Sequence, residues 1–221
     1  MSTDVAALRE KNGGRYKRIR KRPRREPEPS YYAHKVECLF ELENLSERGL
    51  VDLFYGDESG VWSEPCVPYG WQWNDEKVFM PSEKGARLNS FALISRSNHC
   101  HFATTSGRID AHFMIEQFER LSFSIETTTV VVLDNAPIHR AKPLVERRPF
   151  WEKRGLFLFY LPIYSPHLNL AEILWRKLKY EWLQPKDYAQ DQTLFYRVKQ
   201  ALDAVGTRLN ISFSPFKIRV T

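Results

Sequence analysis

The chain has few of the residues that mark a secreted or membrane-bound protein. Only three cysteines occur in its 221 residues, Cys38, Cys66 and Cys100. They are odd in number, far apart and form no C-x-x-C, which argues against a disulfide framework and for a reduced, cytosolic protein. No apolar stretch approaches the ~18 residues that a membrane span needs, and the polar N-terminus cannot act as a signal peptide. Disorder is equally poorly supported. Hydrophobic residues make up 43% of the chain and aromatics 14%, so a globular domain with appendages is expected.

Excess charge is absent from most of the chain. The formal net charge is +6, and residues 1–30 carry all of it, with ten Lys or Arg against four Asp or Glu. Residues 31–221 hold equal numbers of each sign. The basic run Arg15–Arg25 ends in Glu26-Pro27-Glu28-Pro29, a stiff, extended spacer. Residues 1–29 therefore read as a basic arm. Arg18, Arg20, Lys21, Arg22, Arg24 and Arg25 are its candidates for salt-dependent phosphate contacts with nucleic acid. The alternative is a solvated tail with no partner.

The folded part is organised around Thr127–His139, TTTVVVLDNAPIH. Seven β-branched or apolar residues predict a strand buried on both faces of a parallel or mixed sheet. Asp134 then falls where the strand leaves the sheet, which is where open α/β sheets build their sites. Taken alone, Asp134 and Asn135 are equally well explained as turn residues. Downstream, LFLFYLP (Leu156–Pro162) is a second apolar strand, so strand, helix, strand predicts a parallel βαβ unit.

Upstream, Ser30–Gly49 reads as a helix with Ser30 as N-cap. Leu50–Tyr55 reads as a strand, turned back at Gly56–Gly60 into a second strand through Val61 and Trp62, which leaves Asp57 near a strand end. Antiparallel strands are expected at Val67–Trp73, Lys77–Pro81, Asn89–Ser95 and His99–Thr104. His99 and His101 alternate along the last of these, but no third soft ligand lies nearby, which favours a solvent-facing pair over a metal site. Ile109–Leu121 and Gln192–Leu209 read as amphipathic helices. Residues 139–154 hold six Lys or Arg against two Glu, a weak signal that a solvated helix face explains well.

Ser165–Leu183 opens with a turn and continues as a helix with Asn169 as N-cap. Glu172, three residues on, fits a capping box or an ion pair with Arg176. It also shares a face with Arg176 and Lys179, away from Leu170 and Leu174. An acid in the first turn with cations below it suits a metal ligand beside a phosphate site. Asp57, Asp134 and Glu172 are thus three carboxylates of the kind that hard divalent cations take. Spacing alone does not bring them together.

Three motifs, YGDESGVW, VVVLDNAPIHRA and YLPIYSPHLNLAEILWRKLK, together resemble the catalytic domain of the mariner-like superfamily of DDE transposases, with the bacterial insertion-sequence branch as the nearest match. The resemblance covers roughly residues 30–209 and leaves 210–221 as a tail. It implies an α/β, RNase H-like fold, a mixed five-stranded sheet of antiparallel hairpins and a parallel βαβ unit flanked by helices. It implies Asp57, Asp134 and Glu172 as the ligands of two Mg²⁺ or Mn²⁺ ions, with Asn135, His139 and Asn169 in support.

The implied activity is cleavage at transposon ends and transfer of the freed 3′-hydroxyl into target DNA, by a homodimer on DNA in a bacterial, nucleoid-associated setting. Arg140, Arg147, Arg148, Arg176 and Lys179 are the weaker candidates for a DNA track. Two features depart from the family pattern. Asn169-Leu170-Ala171-Glu172 replaces Asn-Pro-Ile-Glu, which costs some preorganisation at the first helical position. Only the arm and one helix precede the first strand, which suggests a separately encoded helix-turn-helix half. The other readings are a catalytically silent DNA-binding remnant and a general RNase H-like nuclease.

Overall fold

A computed structural model of the chain describes residues 28–64 and 85–216. The first element, α1 (Pro29–Glu47), begins with proline where a missing N–H is harmless. Its cap is Glu28 rather than Ser30: the Glu28 carboxylate accepts the N–H groups of Ser30 at 3.0 Å and Tyr31 at 2.8 Å. Five strands follow: β1 (Asp52–Trp62), β2 (Arg87–Ile94), β3 (Cys100–Thr105), β4 (Thr129–Leu133) and β5 (Leu156–Tyr160). They form one sheet in the order β3-β2-β1-β4-β5. The β1–β2 and β2–β3 pairs are antiparallel, whereas β1–β4 and β4–β5 are parallel. This is the mixed sheet expected from the RNase H-like resemblance.

The helices divide between the two faces because β4 is apolar on both. Val130 and Val132 join Leu53, Tyr55 and Ile94 in one core, packed against Leu39 of α1 and against two later helices. These are α4 (Ala171–Lys177), prolonged by a π-helical stretch at Leu178–Trp182, and α5 (Asp191–Asp203). Val131 and Leu133 face the other way with Phe54, Phe91 and Leu93. That core is closed by Met114 and Phe118 of α2 (Ala111–Ser124) and by Leu144 and Trp151 of α3 (Lys142–Glu152). No helix among the described residues is long and apolar enough to cross a membrane.

A second expectation is corrected. Gly56–Gly60 is not a turn, and β1 runs unbroken for 11 residues. Each residue from Tyr55 to Trp62 has a partner on β2, from Ile94 to Arg87, so the backbone gains a full ladder by continuing. The glycines answer crowding instead. A Cβ on Gly56 would lie 2.8 Å from Leu133 Cδ2 and 2.9 Å from Leu93 Cδ2. Asp57 therefore stands inside a strand, opposite Ala92, and not at a strand end. The strands expected at Val67–Trp73 and Lys77–Pro81 lie outside the described residues.

Replacing Gly56 by valine forces Leu133 and Leu93 apart and overpacks that face. The expected loss is about 1–3 kcal/mol of unfolding free energy, read from the denaturant midpoint. An unchanged midpoint would show that the neighbouring leucines yield freely.

Candidate active site

The parallel register of β1 and β4 pairs Tyr55 with Val132. Two residues further along each chain stand Asp57 and Asp134. Tyr55 and Val132 belong to the core under α4, and a strand's side chains alternate between faces. Asp57 thus points towards the side where α4 begins, and Glu58 towards the other.

Glu172 lies in the first turn of α4. Its place is set by Asn169, a buried side chain that bonds two segments at once. Asn169 Nδ2 donates to the carbonyl of Gly56 at 2.9 Å, and its Oδ1 accepts the N–H of Ala171 at 3.1 Å. The residue before Asp57 and the residue before Glu172 are tied to the same amide. The Glu172 carboxylate has no hydrogen-bond or ion-pair partner among the described residues, so neither the capping box nor a pair with Arg176 accounts for it.

Two connected clefts meet at these acids. The first, of about 540 Å³, is lined by Asp57, Glu58 and Glu172 together with Arg176 and Lys179. The second, of about 400 Å³, is lined by Asp57, Asp134, Asn135, Asn169 and Glu172 and by the loop from Leu161 to Pro166. All three sequence-derived acids share this second cleft. They share it loosely: among the described residues no three His, Cys, Asp or Glu side chains already stand close enough to hold a metal ion. Their mutual effect is strong nonetheless. Burial pushes the Asp57 carboxyl up to about 7, and the negative charges of Glu172, Glu58 and Asp134 push in the same direction. Oxygen donors crowded into uncompensated negative charge fit a hard divalent cation.

Asp134 is handled differently. Its Oδ1 accepts the N–H of Ala136 at 2.8 Å and lies 2.9 Å from His139 Nδ1. The hydrogen bond from His139 holds its carboxyl below the usual range. His139 is fully buried, and its Nε2 sits 2.7 Å from Glu58 Oε1. Burial alone would discharge the ring, but the hydrogen bonds it donates to both carboxylates, and their charges, outweigh it and push the imidazolium up to about 10. Glu58 is the residue that sequence reading missed. The signal was available, since strand alternation sends it to the face opposite Asp57, where the helical turn carrying His139 follows β4. Asn135 donates its amide to the carbonyl of Leu161, bracing the β4 exit against the loop after β5.

The DNA-track candidates separate. Arg176 and Lys179 line the first cleft. Arg147 is paired with Glu119 and Arg148 with Glu152 at 3.3 Å. Arg140 lies over the ring of Tyr160 at 5.1 Å. None of these three lines either cleft. Arg18, Arg20, Lys21, Arg22, Arg24 and Arg25 lie outside the described residues.

A raised histidine pKa stabilises the fold below the unfolded value of about 6.5 and loses that contribution as pH climbs through about 10. Metal-free protein in EDTA should therefore lose unfolding free energy between pH 7 and pH 10, and His139→Gln should flatten that slope. Parallel losses in the two proteins would mean that His139 is neutral.

The family model for the DDE superfamily endonuclease matches residues 52–194. No curated protein matches the chain in sequence. Among solved structures, the Mos1 transposase paired-end complex with the left transposon end is similar at 15% identity, covering 92% of this chain and 68% of that one, with a TM-score of 0.53. The Mos1 mariner paired-end complexes with Mn and with Mg are each 14% identical over 94% of this chain. They are covered to 69% and 68%, with TM-scores of 0.51 and 0.50. At these identities the likeness is one of fold.

Proposed function

Because this chain belongs to the DDE superfamily endonucleases, we propose that it cleaves DNA at transposon ends and joins the freed 3′-hydroxyl to target DNA, with Asp57, Asp134 and Glu172 holding two Mg²⁺ or Mn²⁺ ions. The observation that carries the proposal is one cleft lined by all three acids, with Asp57 raised to about 7 by burial and its acidic neighbours. Bound divalent cations supply Lewis-acid activation and charge neutralisation for phosphodiester cleavage. The chain's own residues do the rest. Asn169 fixes the Gly56 carbonyl and the start of α4, so Asp57 and Glu172 keep a constant relation. His139, braced by Glu58, holds the Asp134 carboxylate ionised and in one orientation. Arg176 and Lys179 bind backbone phosphates entering the first cleft. The likeness in fold to the Mos1 transposase in a paired-end complex with a transposon end favours transposition over general nuclease action, and a homodimer bringing two ends together follows the same logic.

One observation favours the second reading, a DNA-binding remnant without activity: no three of the acids stand at ligating separation among the described residues. The bracing by Asn169 acts on the backbone, which leaves the Asp57 and Glu172 side chains free to turn inward on a bound cation. The two readings differ in a nicking assay on supercoiled plasmid. We expect Mn²⁺-dependent nicking that falls on the order of a hundredfold or more in Asp57→Asn, Asp134→Asn or Glu172→Gln, as several kcal/mol of transition-state stabilisation would require. Wild-type protein that nicks no DNA with either cation sinks the enzyme reading.

The basic arm makes a separate contribution. Deleting residues 1–25 should weaken duplex binding at low salt and reduce the slope of log affinity against log salt by about 0.9 for each lost phosphate contact. Affinity that is unchanged at every salt concentration would return the arm to a solvated tail.

A further inference from the structure

The second cleft has a wall for which the carboxylates give no reason. After β5 the chain runs Pro162-Ile163-Tyr164-Ser165-Pro166 past Asp134 and Glu172. Tyr164 has a φ of 58°, in the left-handed region where a bulky residue is a real outlier and glycine or asparagine is the usual occupant. Tyr164 is 54% exposed and Ile163 41%. The loop is nevertheless braced. Prolines fix φ on both sides, Ser165 is buried, its carbonyl accepts the N–H of Leu168 at 3.1 Å, and Asn135 holds the carbonyl of Leu161. A ring kept in solvent on a strained but anchored backbone contributes nothing to the core. Strain of this kind persists where the surrounding structure over-determines it, and it clusters at binding sites.

We infer that Tyr164, backed by Ile163, is a stacking platform for the nucleobase next to the scissile phosphate. The inference rests on the transposase reading of the same cleft. Its direction comes from how the lining is divided. Asp57 and Glu172 line both clefts. Arg176 and Lys179, with Trp175 and Tyr180, line only the first, and the second has Tyr164 and no Lys or Arg. A strand whose phosphate sits at the acids therefore keeps its backbone on the side that carries the cations and leaves the cation-free cleft, with the Tyr164 ring in its wall, to a base. The ligand is a base displaced from the duplex stack, since only an unstacked base offers a free π-face. Stacking of this sort is indifferent to sequence, because every base has such a face.

The test compares Tyr164→Ala, Tyr164→Gly and Tyr164→Phe in the full chain. Glycine relieves the left-handed strain, so loss of fold cannot mimic loss of the ring. Anisotropy of a labelled oligothymidylate in EDTA should show about tenfold weaker binding for the alanine and glycine variants, and binding close to wild type for phenylalanine. With Mn²⁺, nicking of intact duplex should fall in the alanine variant, whereas cleavage beside an abasic nucleotide, which has no base to stack, should not. Wild-type binding by all three variants overturns the inference, as does a phenylalanine variant as weak as alanine. If the wild-type chain neither binds nor nicks, the parent reading fails first. If it nicks and the variants match it, only the platform is lost.

Discussion

The parallel pairing of β1 with β4 determines where negative charge accumulates in this protein. Because Tyr55 is level with Val132, the next outward-facing position of each chain carries a carboxylate at the same height of the sheet. A slip of one residue would send Asp57 to the face of α2 and α3, away from Glu172 and the start of α4. The register is pinned by apolar packing on both sides of β4, whose five residues are all buried. The hydrophobic core is thus what places the acids, and the acids in turn raise the cost of one another's charge.

That cost is met unequally. Asp134 has the imidazolium of His139 and the N–H of Ala136, and it stays ionised. Asp57 has no such cation and is pushed towards protonation. Glu58 links the two halves, because it repels Asp57 while holding the ring that steadies Asp134. A buried histidine between two carboxylates is secure only if both stay in place, since removing either leaves a buried charge under-compensated. The helical turn Pro137–Arg140 serves this purpose, carrying His139 back under the sheet while Tyr160 donates its hydroxyl to the His139 carbonyl at 2.8 Å.

Much of this was legible in the sequence, and what was not has identifiable causes. The run Val130–Leu133 announces a doubly buried strand because no other element tolerates unbroken β-branched residues followed at once by Asp-Asn-Ala-Pro. The places of Asp134 after that strand and of Glu172 in the first turn of a helix follow from local pattern, whereas their grouping with Asp57 came from the family resemblance. Gly56–Gly60 misled because glycine and acidic residues mark turns by composition, whereas here Gly56 is required by the approach of Leu133 and Leu93, which come from strands far away in the chain. Ser30 was displaced as cap by Glu28, whose longer side chain reaches back to two free N–H groups. The bracing role of Asn169 was beyond local reading altogether, because its partner at Gly56 lies more than a hundred positions earlier in the chain.

On the proposed function, the division of charge would give the site a use for both a divalent cation and a cationic border. Bare acids repel a phosphate backbone as strongly as they repel one another, so a DNA strand approaching the cleft meets attraction only at its edge, where Arg176 and Lys179 stand. Divalent cations held by Asp57, Asp134 and Glu172 would reverse the sign at the centre, so that one strand could meet favourable charge at both edge and centre. Cation binding and DNA binding would then be coupled, each lowering the electrostatic cost of the other. The coupling needs no conformational signal. It would follow from placing three carboxylates along one cleft, with Asp134 alone paired to His139, while Arg176 and Lys179 stand one and two helical turns along α4 and its continuation.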